Sequence, residues 1–338
     1  MKGESPRMED KNLSFLSRCA QTDFGSTALS KSEKVFYERF NGEILSLCRS
    51  LPDSVQTDSL LFLMQYSGIS LGDELDFFSN YYPPSWSVLY WLSNDDTPDA
   101  KRLKKRDVAS AVTAHSMAMF LHSLDDHLTD HQISISPLTL LLRSQAWTIM
   151  NRAFCNLAEG VPGGKRTVRH FIAEYYSSIQ DSKGLDSIDS YCDAFRGQMG
   201  LGMIAPTLLS IKMNGISDFT RDLQMAYGSF GIAWRLLDDI KDMGVDMEKR
   251  APSAICLCLS EKFRNHWRNS SLRPRAAAKA AKKSILIHVL EHGVIDRVKA
   301  RICGELDTAA SLVEAYGLTG FAGELRCLAH PFRKSDST

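Results

Sequence analysis

Apolar side chains recur at intervals of three and four residues along most of this chain, and the strict alternation of a half-buried strand is almost absent. The segment 35–51 is amphipathic and stops before Pro52, and 60–71 is apolar with one internal glycine. Tyr81-Tyr82-Pro83-Pro84-Ser85-Trp86 reads as a break followed by a helix start, since proline is tolerated in a first turn. Asn94 to Pro98 is turn-like, and a basic run, 101–106, opens the next element as a solvated helix start. The stretch 107–130 is apolar on most faces, with Val108, Ala111, Met117, Phe120 and Leu124, which predicts a helix enclosed by others. Further helices are expected from Ser136-Pro137 to about 157, then over 167–179, 187–212, 219–242, 276–292 and 294–316. Gly160 to Gly164 forms a loop, and Gly197, Gly200 and Gly202 interrupt the 187–212 segment. The expectation is a single-domain, all-α helical bundle of roughly ten to twelve helices over residues 13–330, with a disordered stretch at 1–12 and a flexible tail at 331–338.

Composition narrows the classes of function. Of 338 residues, 44% are hydrophobic and 24% charged, ordinary for a globular chain. Lysine plus arginine equals aspartate plus glutamate at 40 each, so no global charge draws the chain to nucleic acid or to an anionic membrane. No apolar run approaches the ~18 residues of a membrane span. The polar start lacks an apolar signal core, and the eight cysteines show no Cys-x-x-Cys spacing. A cytoplasmic protein with reduced core thiols is expected, without a zinc site.

The chemistry concentrates at the ends of two apolar segments. Asp125, Asp126 and Asp130 close the first, and Asp238, Asp239 and Asp242 close the second, 113 positions later. On a helix, residues i and i+4 are offset by only about 40°, so Asp126 and Asp130 share a face, as do Asp238 and Asp242. Like charges on adjacent turns repel, and unpaired buried charge costs several kcal/mol. Hard divalent cations relieve that repulsion, and Mg²⁺ typically combines one or two carboxylates with phosphate oxygens. Two clusters meeting across a bundle would therefore make a polyphosphate site.

These residues also carry a resemblance. Gly231-Ile232-Ala233-Trp234-Arg235-Leu236-Leu237-Asp238-Asp239-Ile240-Lys241-Asp242 resembles the second aspartate-rich motif of the trans-prenyltransferases, GxxFQxxDDxxD, with Trp234 in place of Phe and Arg235 in place of Gln. His122-Ser123-Leu124-Asp125-Asp126 with Asp130 resembles the first motif. The family implied is the class I isoprenoid synthases, a helical bundle with a central active-site cavity. By that resemblance, Asp125, Asp126, Asp238 and Asp239 are catalytic. With Asp130 and Asp242 they hold Mg²⁺, three ions in all, against an allylic prenyl diphosphate, and a homodimer is a candidate assembly. Prenyl transfer is expected, with a terpene cyclase or an inactive partner subunit of a heteromeric synthase as alternatives. A helical hydrolase of nucleotide polyphosphates fits less well, because its usual ligand sets are absent beside the aspartates. The chain also departs from the chain-elongating members. No arginine pair follows the first motif, the next arginine being Arg143. Gly163-Gly164-Lys165-Arg166 comes after that motif instead of before it. Gln198-Met199 stands where that family has Lys-Thr.

Other candidates lie around the clusters. Arg235, one turn before Asp238, could touch diphosphate or pair with Asp238 or Asp239. Arg196, Gln198, Lys249 and Arg250 are candidate substrate contacts. Lys241 is expected to point away from the metals. Phe120 and Trp234 are placed to line an apolar tunnel, where aromatic faces stabilise a carbocation. His122, four residues before Asp126, is either a partner orienting that carboxylate or a core histidine, and His115 is read as structural. The glycines near 197–202 signal either close packing or a kink.

Overall fold

The periodic stretches fold as helices in the computed structural model, which describes residues 8–94, 103–180, 185–269 and 275–333. In chain order these are α1 (Met8–Ala20), α2 (Lys31–Arg49), α3 (Asp53–Tyr66), α4 (Pro84–Ser93), α5 (Lys105–Thr129), α6 (Pro137–Ala158), α7 (Gly164–Gln180) and α8 (Ile188–Gln198). They continue as α9 (Gly200–Asn214), α10 (Asp218–Lys241), α11 (Met243–Lys249), α12 (Ala254–Leu257), α13 (Glu261–Arg268), α14 (Arg275–Glu291), α15 (Val294–Glu314) and α16 (Thr319–Arg333). The described residues thus hold sixteen helices and no strand, more than the ten to twelve expected. The excess is local. Three short helices, α11 to α13, carry too few turns for a periodic signal. The segment 187–212 divides at Met199 into α8 and α9, and α16 forms beyond 316, where the last expected helix ends. Helix α1 begins at Met8, inside the stretch expected to be disordered, and α16 runs to Arg333, past the expected start of the tail. Most of the expected turn after Asn94, and Lys101-Arg102 of the basic run, lie outside the described residues.

Local chemistry sets several boundaries. Ser30 caps α2 by accepting from the Glu33 N–H while the Glu33 carboxylate accepts from the Ser30 N–H, a reciprocal capping box. Ser136 caps α6 in the same way with Thr139, and Pro137 occupies the first turn. Helix α5 stops because His131 adopts a left-handed conformation, φ 57°. Helix α10 ends at Asp242, but α11 resumes at the next residue.

One hydrophobic core joins all the long helices. Helix α9 packs against both α5 and α10; α10 also packs on α15 and α8, and α5 on α6 and α2. Helix α4 contributes a cross-link. The Ser85 carbonyl in its first turn accepts from His115 Nε2 on α5 at 2.6 Å and from the Tyr227 hydroxyl on α10 at 3.0 Å. Both partners are buried, and burial pushes the His115 pKa down to about 4, so the ring is neutral. His115 stands ten residues before Asp125, and Tyr227 eleven before Asp238. At ~1.5 Å of rise per residue, both helices deliver their aspartates about 15 Å beyond one shared anchor. No helix among the described residues is long and apolar enough to cross a membrane.

Candidate active site

The aspartates of the two clusters sit in different surroundings. Asp126 and Asp130, at the end of α5, are exposed, while Asp125 is partly buried and gripped by Arg143 of α6. The grip is bidentate, Arg143 Nε to Oδ1 at 2.5 Å and Nη2 to Oδ2 at 2.9 Å, and the Asp125 bond holds the Arg143 pKa above its ordinary value. At the end of α10, Asp239 is fully buried, its side chain 0% exposed. Its Oδ1 accepts from the Tyr191 hydroxyl at 3.0 Å and pairs with Arg235 Nε at 3.1 Å, and its Oδ2 accepts from the Ala254 N–H at 2.7 Å. Burial pushes the Asp239 pKa up to about 6 against the pull of Arg235. Asp238 is half exposed with Arg235 Nη1 at 3.7 Å, and Asp242 is exposed.

The clusters are electrostatic neighbours. Burial raises the Asp238 pKa, and the carboxylates of Asp242 and of Asp126, from the other cluster, raise it further. His122 responds to both sides: burial lowers its pKa, Asp126 and Asp125 oppose that, and Arg235 reinforces it. Tyrosines surround the junction. Tyr66 and Ser123 hydroxyls hydrogen-bond at 2.8 Å, and Tyr81 donates to the Met119 carbonyl at 2.7 Å. The Trp234 ring packs edge-on against Tyr81 and Tyr82, with centroids 5.4 and 5.5 Å apart, and beside Phe230 at 5.9 Å. Phe120 is buried on α5.

The other candidates separate. Arg235 is at the centre, its Nε 2.6 Å from the Tyr191 hydroxyl and its guanidinium against the Phe195 ring. Arg196 pairs with Asp193 on its own helix at 2.9 Å, and its stem packs on Gly228, well before the aspartates of α10. Gln198 is the last residue of α8, half-buried at the break. Lys249 ends α11, Arg250 follows in a left-handed turn, and both are exposed. Lys241 reaches away to Asp23 in the segment after α1, at 3.8 Å. The glycines serve close packing: a Cβ on Gly200 would stand 2.7 Å from the Phe171 carbonyl, and one on Gly231 would stand 2.6 Å from the Met199 side chain.

Sequence reasoning missed two groups. Asp246 lies two turns beyond Asp238; burial, with Asp239, Asp242 and Asp238 nearby, pushes its pKa up to about 7. Its i+4 and i+8 spacing from Asp242 and Asp238 was the available signal, hidden because α11 was not foreseen. Arg143 reaches Asp125 only because α6 folds back on α5, and no spacing rule marks it.

The donor set suits a hard cation in part. Among the described residues, no three His, Cys, Asp or Glu groups converge closely enough to hold a metal ion unaided. Asp126, Asp130, Asp238 and Asp242 are nonetheless oxygen donors, and the repulsion felt at Asp238 is relieved by positive charge. Such a set fits Mg²⁺ when phosphate oxygens complete the coordination.

No family model and no curated protein sequence matches the chain. Solved structures do. Geranylgeranyl pyrophosphate synthase from Corynebacterium glutamicum superposes with a TM-score of 0.63 at 14% identity, over 96% of this chain and 99% of that one. The same enzyme complexed with isoprenyl diphosphate and magnesium matches with a TM-score of 0.60 at 13% identity, over 91% and 99%. Polyprenyl synthase from Caulobacter crescentus, complexed with calcium and isoprenyl diphosphate, matches with a TM-score of 0.61 at 12% identity, over 95% and 98%. The fold is that of the class I isoprenoid synthases.

Proposed function

We propose that the chain is a Mg²⁺-dependent enzyme that ionises an allylic prenyl diphosphate and transfers the prenyl group to an acceptor. The observation that carries this reading is that Asp125-Asp126 and Asp238-Asp239 end two helices, α5 and α10, that pack on the same α9 and share the Ser85 anchor, with burial, and then Asp242 and Asp126, raising the Asp238 pKa against the pull of Arg235. Asp126, Asp130, Asp238 and Asp242 are the groups that would hold the metal. Bound there, Mg²⁺ would supply Lewis-acid stabilisation of the diphosphate as its C–O bond breaks. The bonding pair departs with the diphosphate and leaves an allylic cation. Trp234, Tyr81 and Tyr82 offer aromatic surface beside the clusters, where a cation over a ring face is favoured. The acceptor's electron pair closes the new bond, and a proton is lost from the acceptor. The Asp-Asp-x-x-Asp form of the second cluster and the synthase neighbours favour transfer, while Gln198-Met199 in place of Lys-Thr argues for an acceptor other than isopentenyl diphosphate.

A second reading, an inactive partner subunit, draws on the ion pairs that already occupy Asp125 and Asp239. Incubation with Mg²⁺ and geranyl, farnesyl or geranylgeranyl diphosphate, with and without isopentenyl diphosphate, decides among these. Pyrophosphate release with a prenylated acceptor supports transfer. A hydrocarbon from one substrate alone means cyclisation, and no turnover with any substrate supports the partner subunit.

A further inference from the structure

Each cluster carries an arginine of its own. Arg143 grips Asp125 through two bonds, and Arg235 pairs with Asp239 at 3.1 Å while its Nη1 stands 3.7 Å from Asp238. Both arginines have their pKa raised, Arg235 in spite of burial, so both remain cations. Asp239 has no free face, because Tyr191 and the Ala254 N–H complete its shell. In each cluster the carboxylate nearest the core is therefore satisfied from within the chain.

We infer that Arg143 and Arg235 are resident cations that withdraw Asp125 and Asp239 from metal binding, so divalent ions with diphosphate are held through Asp126, Asp130, Asp238 and Asp242. This rests on the proposed function and concerns how its charge is balanced. Position 235 is telling. A glutamine there, as in the resembled motif, would leave Asp239 without its cation, whereas the arginine supplies a fixed charge at the place an ion would take. Arg143 and Arg235 are positioning residues: they act through the aspartates they hold.

The test is direct counting of ions. Mn²⁺ binding to the full chain is followed by electron paramagnetic resonance with inorganic pyrophosphate present, in wild type, Arg143→Gln, Arg143→Lys and Arg235→Gln. Wild type sets the reference count and affinity. Arg143→Gln, at a position one-third exposed, is expected to gain an ion or to bind Mn²⁺ about tenfold more tightly, the effect of losing one like charge beside a bound cation. Arg143→Lys keeps the charge and is expected to retain the wild-type count. Arg235→Gln repeats the test at the second cluster; if it does not fold, the Arg143 pair decides. Arg143→Gln binding like wild type overturns the inference and leaves the proposed function standing. No bound Mn²⁺ in any variant overturns both.

Discussion

The ends of α5 and α10 carry nearly the same aspartate spacing, and each holds one carboxylate inward, but at different depths. At the end of α5, Asp126 and Asp130 are exposed and Asp125, still 16% exposed, is held by Arg143. At the end of α10, Asp239 is sealed by Tyr191, Arg235 and the Ala254 N–H. The cause lies in the path of the chain just past each helix. After α5, His131 turns the chain away in a left-handed conformation. After α10 the chain continues into α11 and then α12, whose first N–H returns to cover Asp239. Carboxylates that look interchangeable in a motif thus divide into a solvated rim and an internal wall.

The comparison breaks most visibly at Asp239. Asp239→Ala would leave the Tyr191 hydroxyl and the Ala254 N–H without their acceptor and Arg235 with only its longer contact to Asp238 and its bond to Tyr191, and a loss of about 3–5 kcal/mol is expected in denaturant unfolding. A variant as stable as wild type would show that the wall is not structural. The next effect isolates burial without a guanidinium. Glu324 is buried between the Ser87 hydroxyl and Trp91 Nε1, and burial, with the neighbouring Glu33 adding to it, pushes its pKa up to about 8 from an ordinary 4.5. The native state therefore keeps a proton that the unfolded chain has released. Stability falls as pH rises between these values, by about 1.4 kcal/mol per pH unit. Glu324→Gln cannot ionise and is expected to flatten that slope in unfolding midpoints taken at about pH 5 and about pH 8; an unchanged slope would place the titration elsewhere. A smaller change is expected at the shared anchor. Tyr227→Phe removes one of two donors to the Ser85 carbonyl and should cost about 1 kcal/mol, read from the same unfolding curves. The smallest stability effect belongs to the rim. Asp126→Ala is expected to shift stability by no more than about 0.5 kcal/mol while abolishing Mg²⁺-dependent pyrophosphate release. Full activity in that variant would remove the rim from the reaction.

Legibility in the sequence tracked the range of the interactions. The long helices, the Ser136-Pro137 start and the placement of both aspartate groups at helix ends were readable, because periodicity, caps and i, i+4 spacing are properties of a few turns. The break at Met199 was marked by its glycines, read as either close packing or a kink, but that Gly200 meets the Phe171 carbonyl and Gly197 the Ser178 side chain was not legible. Arg196 was an open candidate until its pairing with Asp193 on the same helix placed it apart from the aspartates. Helices α11 to α13 were too short to declare themselves, and Asp246 went unnoticed with them.

The residue order by itself determined that this chain is helical and that two acidic triads end two apolar helices, since both arise from local backbone geometry. Tertiary structure alone decided which carboxylates face water, which arginine each cluster keeps, and that one backbone carbonyl ties α5 and α10 together. Desolvation and ion pairing depend on what distant segments bring alongside, and Arg143, Tyr191 and Ala254 reach the aspartates only once the bundle has closed.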